Sequence, residues 1–209
     1  MIAYKFLSPG AVAPFTRRVW PQPGPTGAGA WLDAPDDRPE HGVHACRVRD
    51  LSVGLESELW RVELDDALHE GPRQIIGLRG RLLERIWRWD EEGSRSFAEA
   101  CAWRARDRAV AALRREAFDE QAELLAGCST LSDLRSISNE IVARGGGLPA
   151  SLAGYLAETV GFLFDGDSAC SAYISARSAV VAERGDEDAF GEEREAQSSL
   201  LAQRLGLSP

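Results

Sequence analysis

The sequence predicts an α+β fold in which a small, irregular, β-rich domain at residues 1–90 packs on a C-terminal helical bundle at residues 91–209. Eight of the ten prolines lie before residue 73, and all three histidines lie in the same part of the chain. Beyond residue 90, apolar and small residues recur every three or four positions, which is typical of helices with one buried face. This second part also holds 20 acidic and 12 basic residues, so most of the net charge of −9 belongs to it.

Three segments of the first part have the composition or the alternation of strands, namely residues 3–7, 59–64 and 73–83. In the second of them Trp60, Val62 and Leu64 alternate with charged residues, which indicates a half-buried strand. Residues 21–30 hold three prolines and three glycines and predict a loop, because proline lacks the amide donor that a sheet requires. Trp87 and Trp89 alternate too, so on a strand they would share one face.

Five helices are predicted in the second part. They run from about Ser96 to Leu113, from Thr130 to Gly145, from Pro149 to Phe164, from Asp167 to Val180 and from Asp188 to Leu205. Oxygens of Thr130 and Asp167 can accept hydrogen bonds from the free amides at a helix start. The triplet Gly145-Gly146-Gly147 stops the second helix, because glycine accepts the left-handed conformation of a C-terminal turn, and Pro149 suits a first turn. Short connections between these helices favour a compact bundle.

Composition excludes several classes of protein. The acidic balance argues against a nucleic-acid partner, which requires clustered basic residues. No run of about 18 apolar residues and no signal peptide is visible, so we expect neither membrane insertion nor export. The four cysteines lie far apart without a CxxC pair, which predicts reduced thiols in the cytoplasm. No phosphate-binding loop, dinucleotide fingerprint, HExxH or GxSxG motif occurs.

The densest cluster of reactive side chains is His41-Gly42-Val43-His44-Ala45-Cys46. If residues 43–46 form a strand, His44 and Cys46 point to the same face. Imidazole and thiolate are both zinc or iron ligands, so His41, His44 and Cys46 are candidates for a metal site. A thiolate beside an imidazolium is also a nucleophile. Ordinary core packing for Cys46 and a structural hydrogen bond for His44 are the competing, and favoured, interpretations.

A groove between the two domains is the place where we expect a ligand, because pockets concentrate at domain junctions. Lys5, the only lysine of the chain, could contact an anion there, although a solvated position on an edge strand is the favoured interpretation. Trp60, Arg79 and Arg81 are further candidates for the ligand-binding wall. Glu63 is the candidate for a catalytic glutamate.

Arginines are concentrated at residues 72–116, and this segment could bind a phosphate, a carboxylate or an acidic partner. The favoured interpretation is that these arginines pair within the chain with the acidic helices, for example with Glu192, Glu193 and Glu195. They include Arg79, Arg81, Arg85 and Arg88, followed by Arg104, Arg108 and Arg115 on roughly one helix face. Trp87 and Trp89 could stack on a base or a sugar, but burial at the junction of the two domains is more typical of such residues.

The chain resembles an uncharacterised bacterial family. The resemblance rests on four short elements, namely Tyr4 to Leu7, Gly42 to Cys46, Leu59 to Leu64 and Arg204 to Leu207. Residues 1–90 are also similar to a phage and bacterial domain of unknown function. In that domain a cysteine often stands three positions before the glycine, where this chain has Pro39. The resemblance implies a shared N-terminal fold, and it names no activity.

Three function classes follow from these observations. The first is a protein that binds a small anionic ligand or a protein partner without turnover. The second is a transferase or hydrolase, for example of the ADP-ribosyl-transferring type, in which His44 acts as general base with Cys46. The third is a metal-binding protein that uses His41, His44 and Cys46. The sequence predicts neither a cofactor nor an oligomeric state.

Overall fold

The protein has an α+β fold, with antiparallel sheets in its N-terminal part and helices in its C-terminal part. A computed structural model describes residues 1–25, 27–36, 38–65 and 67–207, without the side chains of residues 67 and 68. None of the helices in this described part is long and apolar enough to cross a membrane.

Seven strands are present within the described residues. They are β1 (Ile2–Leu7), β2 (Leu32–Asp33), β3 (Val43–Ala45), β4 (Glu58–Leu64), β5 (Ala67–Glu70), β6 (Ile75–Gly77) and β7 (Arg79–Arg85). A first sheet has the order β1-β4-β7-β2 and a second has the order β3-β6-β5, and all pairs are antiparallel. The β-prone run at residues 73–83 is therefore divided between the two sheets.

Alternation along β1 and β4 separates the two faces of the first sheet. Ala3, Leu7, Trp60, Val62 and Leu64 lie on the face that forms the core. The opposite face carries polar groups, because Tyr4 of β1 stands across from Arg61 of β4, which in turn stands across from Glu84 of β7. The register between β4 and β7 shifts between Arg61 and Val62. This second face forms one wall of the candidate ligand-binding cleft.

Six α-helices follow in the described part, together with two 3₁₀ helices earlier in the chain (Pro39–His41 and Val48–Gly54). The α-helices are α1 (Glu91–Arg115), α2 (Asp119–Ala126), α3 (Leu131–Arg144), α4 (Gly147–Phe164), α5 (Ser168–Ala182) and α6 (Asp188–Leu205). Thr130 caps α3 through a reciprocal pair of hydrogen bonds with Asp133, and Asp167 caps α5 by accepting from the Cys170 amide. Both capping predictions are confirmed.

Two expectations about local structure are wrong. Helix α2 is missing from the prediction, because eight residues show too little periodicity and Phe118 at its start supplies no capping oxygen. Trp87 and Trp89 lie on a turn, where the first is 71% exposed and the second 2%. The predicted helix stop at residues 145–147 is confirmed, because α3 ends at Arg144, and the left-handed residue of the triplet is Gly147, with a φ of 73°.

The chain divides into two compact units. One comprises Met1–Gly93 with Ser198–Pro209, and we name it the β unit; the other comprises Ser94–Gln197, and we name it the helical unit. The end of α6 thus belongs with the strands, which a single boundary near residue 90 does not anticipate. The Ser198 hydroxyl accepts from the Ser52 amide at 3.0 Å, and the two serine hydroxyls lie 3.0 Å apart. In the helical unit, helices α1 to α5 contribute to one apolar core.

Candidate functional site: an arginine-lined cleft

The His44 and Cys46 side chains have separate partners. His44 lies in β3, and its Nδ1 is 3.1 Å from Oε1 of Gln74. Cys46 follows β3 and forms a backbone pair with Tyr4, to whose carbonyl oxygen its Sγ also donates at 3.3 Å. The strand interpretation of this segment is therefore correct for Val43–Ala45 and continues through that pair.

The Cys46 thiol is not set up as a nucleophile. Burial raises its pKa to about 12, so the thiol remains protonated at neutral pH. The thiolate is the reactive form of a cysteine. The His44 ring, which would assist its formation as a base, has its Nδ1 in a hydrogen bond with Gln74 instead. These contacts agree with the packing and hydrogen-bonding interpretations of the two residues.

The three candidate metal ligands are not brought together. His41 lies on a 3₁₀ helix with its Nδ1 2.9 Å from Oδ2 of Asp36, which Arg38 also contacts. Across residues 1–25, 27–36, 38–65 and 67–207, no group of three or more histidine, cysteine, aspartate or glutamate side chains is arranged to hold a metal ion.

Lys5 faces the core of the β unit. Its Nζ donates to the His44 carbonyl oxygen at 2.5 Å and lies 5.3 Å from the centroid of the Trp20 ring. Burial lowers the pKa of Lys5 to about 8, because the charged form loses solvation there. Strand β1 does stand at the edge of its sheet, but the solvated position favoured for the Lys5 amine is wrong, because the amine is engaged within the fold.

Glu63, Arg79 and Arg81 form ion pairs within the β unit. Arg81 contacts the Glu63 carboxylate at 2.7 Å, and Arg79 lies 3.3 Å from Asp33. Both guanidinium groups stack on the Trp31 ring at 4.6 Å. A glutamate held in this way is poorly placed to act as a catalytic base.

Trp60 has a structural partner as well. Its Nε1 donates to the buried Glu58 carboxylate at 3.0 Å, which also accepts from the Gly10 and Ala11 amides and pairs with Arg85. Burial alone would raise the pKa of Glu58, but these hydrogen bonds outweigh it and lower the pKa. The carboxylate therefore serves as an anchor for its surroundings.

The predicted pairing with the acidic helices is confirmed for the arginines of α1, whereas Arg79, Arg81 and Arg85 pair with acidic residues of the β unit. Arg104 contacts the buried Glu193 carboxylate at 2.9 Å, and Arg108 contacts the same group. Arg115 donates to the Ala182 carbonyl oxygen and pairs with Glu183 at 3.2 Å. These arginines are consequently engaged inside the helical unit.

A cleft of about 790 Å³ opens on the polar face of the first sheet. Residues of strands β1, β4, β5, β6 and β7 meet there with the chain after Cys46 and the residues after α6. The polar and charged side chains that line the cleft are Tyr4, Arg47, Arg49, Arg61, Glu70 and Glu84. Its apolar lining includes Ile2, Val48, Ile75, Ile86 and Leu207.

The three arginines of the cleft differ in how they are held. Arg47 contacts Glu70 at 2.6 Å, Asp50 at 3.2 Å and the Gly71 carbonyl oxygen at 3.2 Å. Arg61 pairs with Glu84 at 3.1 Å. Arg49 has neither an ion pair nor a side-chain hydrogen bond to any residue that the structure describes. Its guanidinium group retains its full capacity to bind an anion.

Tyr4 adds a hydroxyl group to this cationic lining. The residue is 9% exposed, and its hydroxyl makes no hydrogen bond within the described part of the chain. Burial raises the pKa of Tyr4, although the nearby Arg61 acts in the opposite direction. The hydroxyl therefore keeps its proton near neutral pH and can donate it to a bound anion.

Arg47 and Arg49 are absent from the ligand-binding residues predicted from the sequence, although their spacing points to this cleft. Arg47 and Arg49 stand at alternate positions directly after Cys46, but they lie outside the arginine-rich segment and each is unremarkable alone. Of the predicted ligand-binding residues, Lys5 and Trp60 lie on the opposite face of the same sheet.

Comparison of the chain with protein-family models, with curated proteins and with solved structures gave no match. The resemblance to an uncharacterised bacterial family therefore stays a prediction.

Proposed function

We propose that this protein binds a small organic anion in the cleft of the β unit and does not turn it over. The observation that carries the proposal is the convergence of Arg47, Arg49 and Arg61 on one apolar-walled cleft. Guanidinium groups bind carboxylates and phosphates through paired hydrogen bonds. The volume of about 790 Å³ falls within the range of roughly 300–1,000 Å³ found for small-molecule sites.

The lining also favours one kind of anion. Ile2, Ile86 and Leu207 offer apolar surface beside the arginines, so a ligand with a hydrocarbon or aromatic body gains more than a bare inorganic ion. The Tyr4 hydroxyl can add one hydrogen bond to the acidic group. We therefore propose a carboxylate or a phosphate ester of an apolar molecule.

Binding without turnover fits the protonation states of the lining. The arginines do not release protons near neutral pH, and Tyr4 holds its proton because of its raised pKa. Glu70 and Glu84 are paired with Arg47 and Arg61. None of these groups is poised as a general acid or base of the kind that proton transfer requires.

Calorimetric titration of the whole chain with acetate, benzoate, inorganic phosphate and phenyl phosphate tests the proposal. Benzoate and phenyl phosphate are expected to bind more tightly than acetate and phosphate. Arg49→Met should weaken binding at least about tenfold, since a hydrogen bond to a charged group contributes about 1.5–3 kcal/mol. Because Arg49 has no partner within the described residues, its replacement should leave the melting temperature unchanged.

Arg114→Met is the matched control, because it removes the same charge from an exposed ion pair with Glu123 in the helical unit. It should bind the anions as the unaltered protein does. Equal binding by the Arg49→Met variant, or no binding of any of the four anions, would exclude the cleft as the site.

A further inference from the structure

The β unit carries an exposed aromatic side chain, Phe15, that does not line the cleft. Residues 8–20 form a hairpin-like loop, which we name the Phe15 hairpin. Its base is closed by the backbone pair of Val12 and Val19 and by a hydrogen bond from the Trp20 amide to the Ala11 carbonyl oxygen at 2.9 Å. Its tip is closed by hydrogen bonds between Ala13 and residues Arg17 and Arg18 at 2.9–3.0 Å. Phe15 at the tip is 98% exposed. An ordered loop thus holds a large apolar side chain in water.

Two cations flank this side chain. Arg17 and Arg18 are exposed, and Arg17 has no side-chain partner among the described residues. Arg18 donates to the Asp33 carbonyl oxygen at 2.8 Å, which neutralises none of its charge. The tip therefore presents an aromatic ring beside two positive charges, and aromatic residues and arginine are the groups that dominate protein interfaces.

The helical unit has a surface groove of complementary character between α3 and α4. It holds about 400 Å³ and is lined by Val142 of α3 and by Gly154, Ala157, Gly161 and Phe162 of α4. The small residues leave the groove open, since a Cβ atom added at Gly161 would meet nothing closer than Arg135 at 3.9 Å. Its apolar floor is large enough to receive an aromatic ring.

Acidic groups stand at the edges of this groove. Glu158 and Asp165 line it, are exposed, and form no ion pair within the part of the chain that the structure describes. They outnumber the one lining arginine, Arg135. The groove thus has an apolar floor with negatively charged edges. The Phe15 hairpin has an apolar tip with positively charged neighbours, so the two surfaces are complementary.

We infer that the Phe15 hairpin of one copy docks in the α3–α4 groove of a second copy. Phe15 fills the floor beside Gly154 and Gly161, while Arg17 and Arg18 face Glu158 and Asp165. Because donor and acceptor are different surfaces, the contact is heterologous and produces rings or chains of copies. One side chain and its flanks bury less area than the roughly 1,200 Å² of a stable interface, so the association is weak and concentration-dependent.

Sedimentation velocity of the whole chain over a range of concentrations tests this inference. The unaltered protein should associate as the concentration rises, and Phe15→Ala should stay monomeric. Trp87→Ala is the matched control, because it removes an aromatic side chain that is 71% exposed at another place in the β unit. It should associate as the unaltered protein does.

A mixing experiment identifies the receiving surface. Gly161→Leu should fill the groove without disturbing the fold, because the space beside Gly161 is open. Neither Phe15→Ala nor Gly161→Leu should associate alone. A mixture of the two should form a one-to-one complex, since one variant keeps the groove and the other keeps the hairpin.

Exchanging the charges of Arg17 and Asp165 supplies a third test of the association. Arg17→Glu and Asp165→Arg should each weaken the association several-fold, and the double variant should recover most of it. A protein that remains monomeric at every concentration, or association that survives Phe15→Ala, would overturn the inference. Binding of the monomeric chain to phosphatidylserine vesicles through Phe15 would overturn it too, and would assign the hairpin to a lipid surface.

Discussion

A single buried amine gives the β unit a distinctive pH dependence. The pKa of Lys5 is about 8 in the folded protein and about 10.5 in an unfolded chain. Between these values the unfolded state binds more protons than the folded state, so the free energy of unfolding rises with pH. The Cys46 thiol acts in the opposite sense, because burial raises its pKa from 9.0 to about 12 and the unfolded state loses its proton first.

We therefore expect the stability to rise from about pH 8 to pH 9 and to level off or fall above it. The slope attributable to one group approaches about 1.4 kcal/mol per pH unit. Urea denaturation at intervals between pH 7 and pH 10 measures it. Lys5→Met should abolish the rise, whereas Cys46→Ala should extend it towards pH 10. A Lys5→Met variant with the same pH profile as the unaltered protein would contradict this assignment.

Lys5 also illustrates what could be predicted at the scale of one residue. Its strand and its rarity were evident from the sequence, since the chain has no other lysine. Its environment was not, because the Trp20 ring and the His44 carbonyl oxygen reach it from 15 and 39 residues away. Pairings over such distances along the chain leave no local pattern.

Among the elements, helices with side-chain caps were the most predictable. Thr130 and Asp167 marked two helix starts, and both oxygens accept the expected amide hydrogen bonds. Helix α2 has no such cap and spans only Asp119–Ala126, so neither capping nor periodicity signalled it. The two-residue strand Leu32–Asp33 also left no pattern in the sequence, because it is defined by its pairing with β7.

The α3 cap gives a prediction at this scale. Thr130→Ala removes the oxygen that accepts from the Asp133 amide at 3.1 Å and should lower the free energy of unfolding of the helical unit by about 1 kcal/mol. Ser132→Ala, in the exposed first turn of the same helix, is the control and should change it by less than about 0.5 kcal/mol. Denaturant titrations followed by circular dichroism compare the two. Equal effects of both substitutions would argue against the cap.

At the scale of the molecule, composition predicted the α+β class and the concentration of strands before residue 90. It could not show that residues beyond Ser198 belong to the β unit, because α6 continues without interruption through that point. The cleft was hidden for a related reason. Tyr4, Arg49, Arg61 and Leu207 come from four segments, and only the folded chain brings them to one place.

The connection between the two ends of the β unit can be tested directly. Ser198→Ala deprives the buried Ser52 amide of its hydroxyl acceptor at 3.0 Å and should destabilise the β unit by about 1–3 kcal/mol. Ser136→Ala, at an exposed position of α3, should have little effect. Amide hydrogen exchange separates the result by region: faster exchange in β1 and β4 is expected with Ser198→Ala. Exchange that increases in the helical unit alone would contradict the assignment.

The burial of the only lysine has a practical consequence for chemistry on this chain. An amine-directed acylating reagent finds no free ε-amino group on the folded β unit, since the Nζ of Lys5 is occupied by the His44 carbonyl oxygen beneath the Trp20 ring. Acylation of this side chain thus requires that the strand open first. A short pulse of such a reagent, followed by mass spectrometry of the peptide that holds Lys5, therefore measures local opening separately from acylation of the Met1 amine.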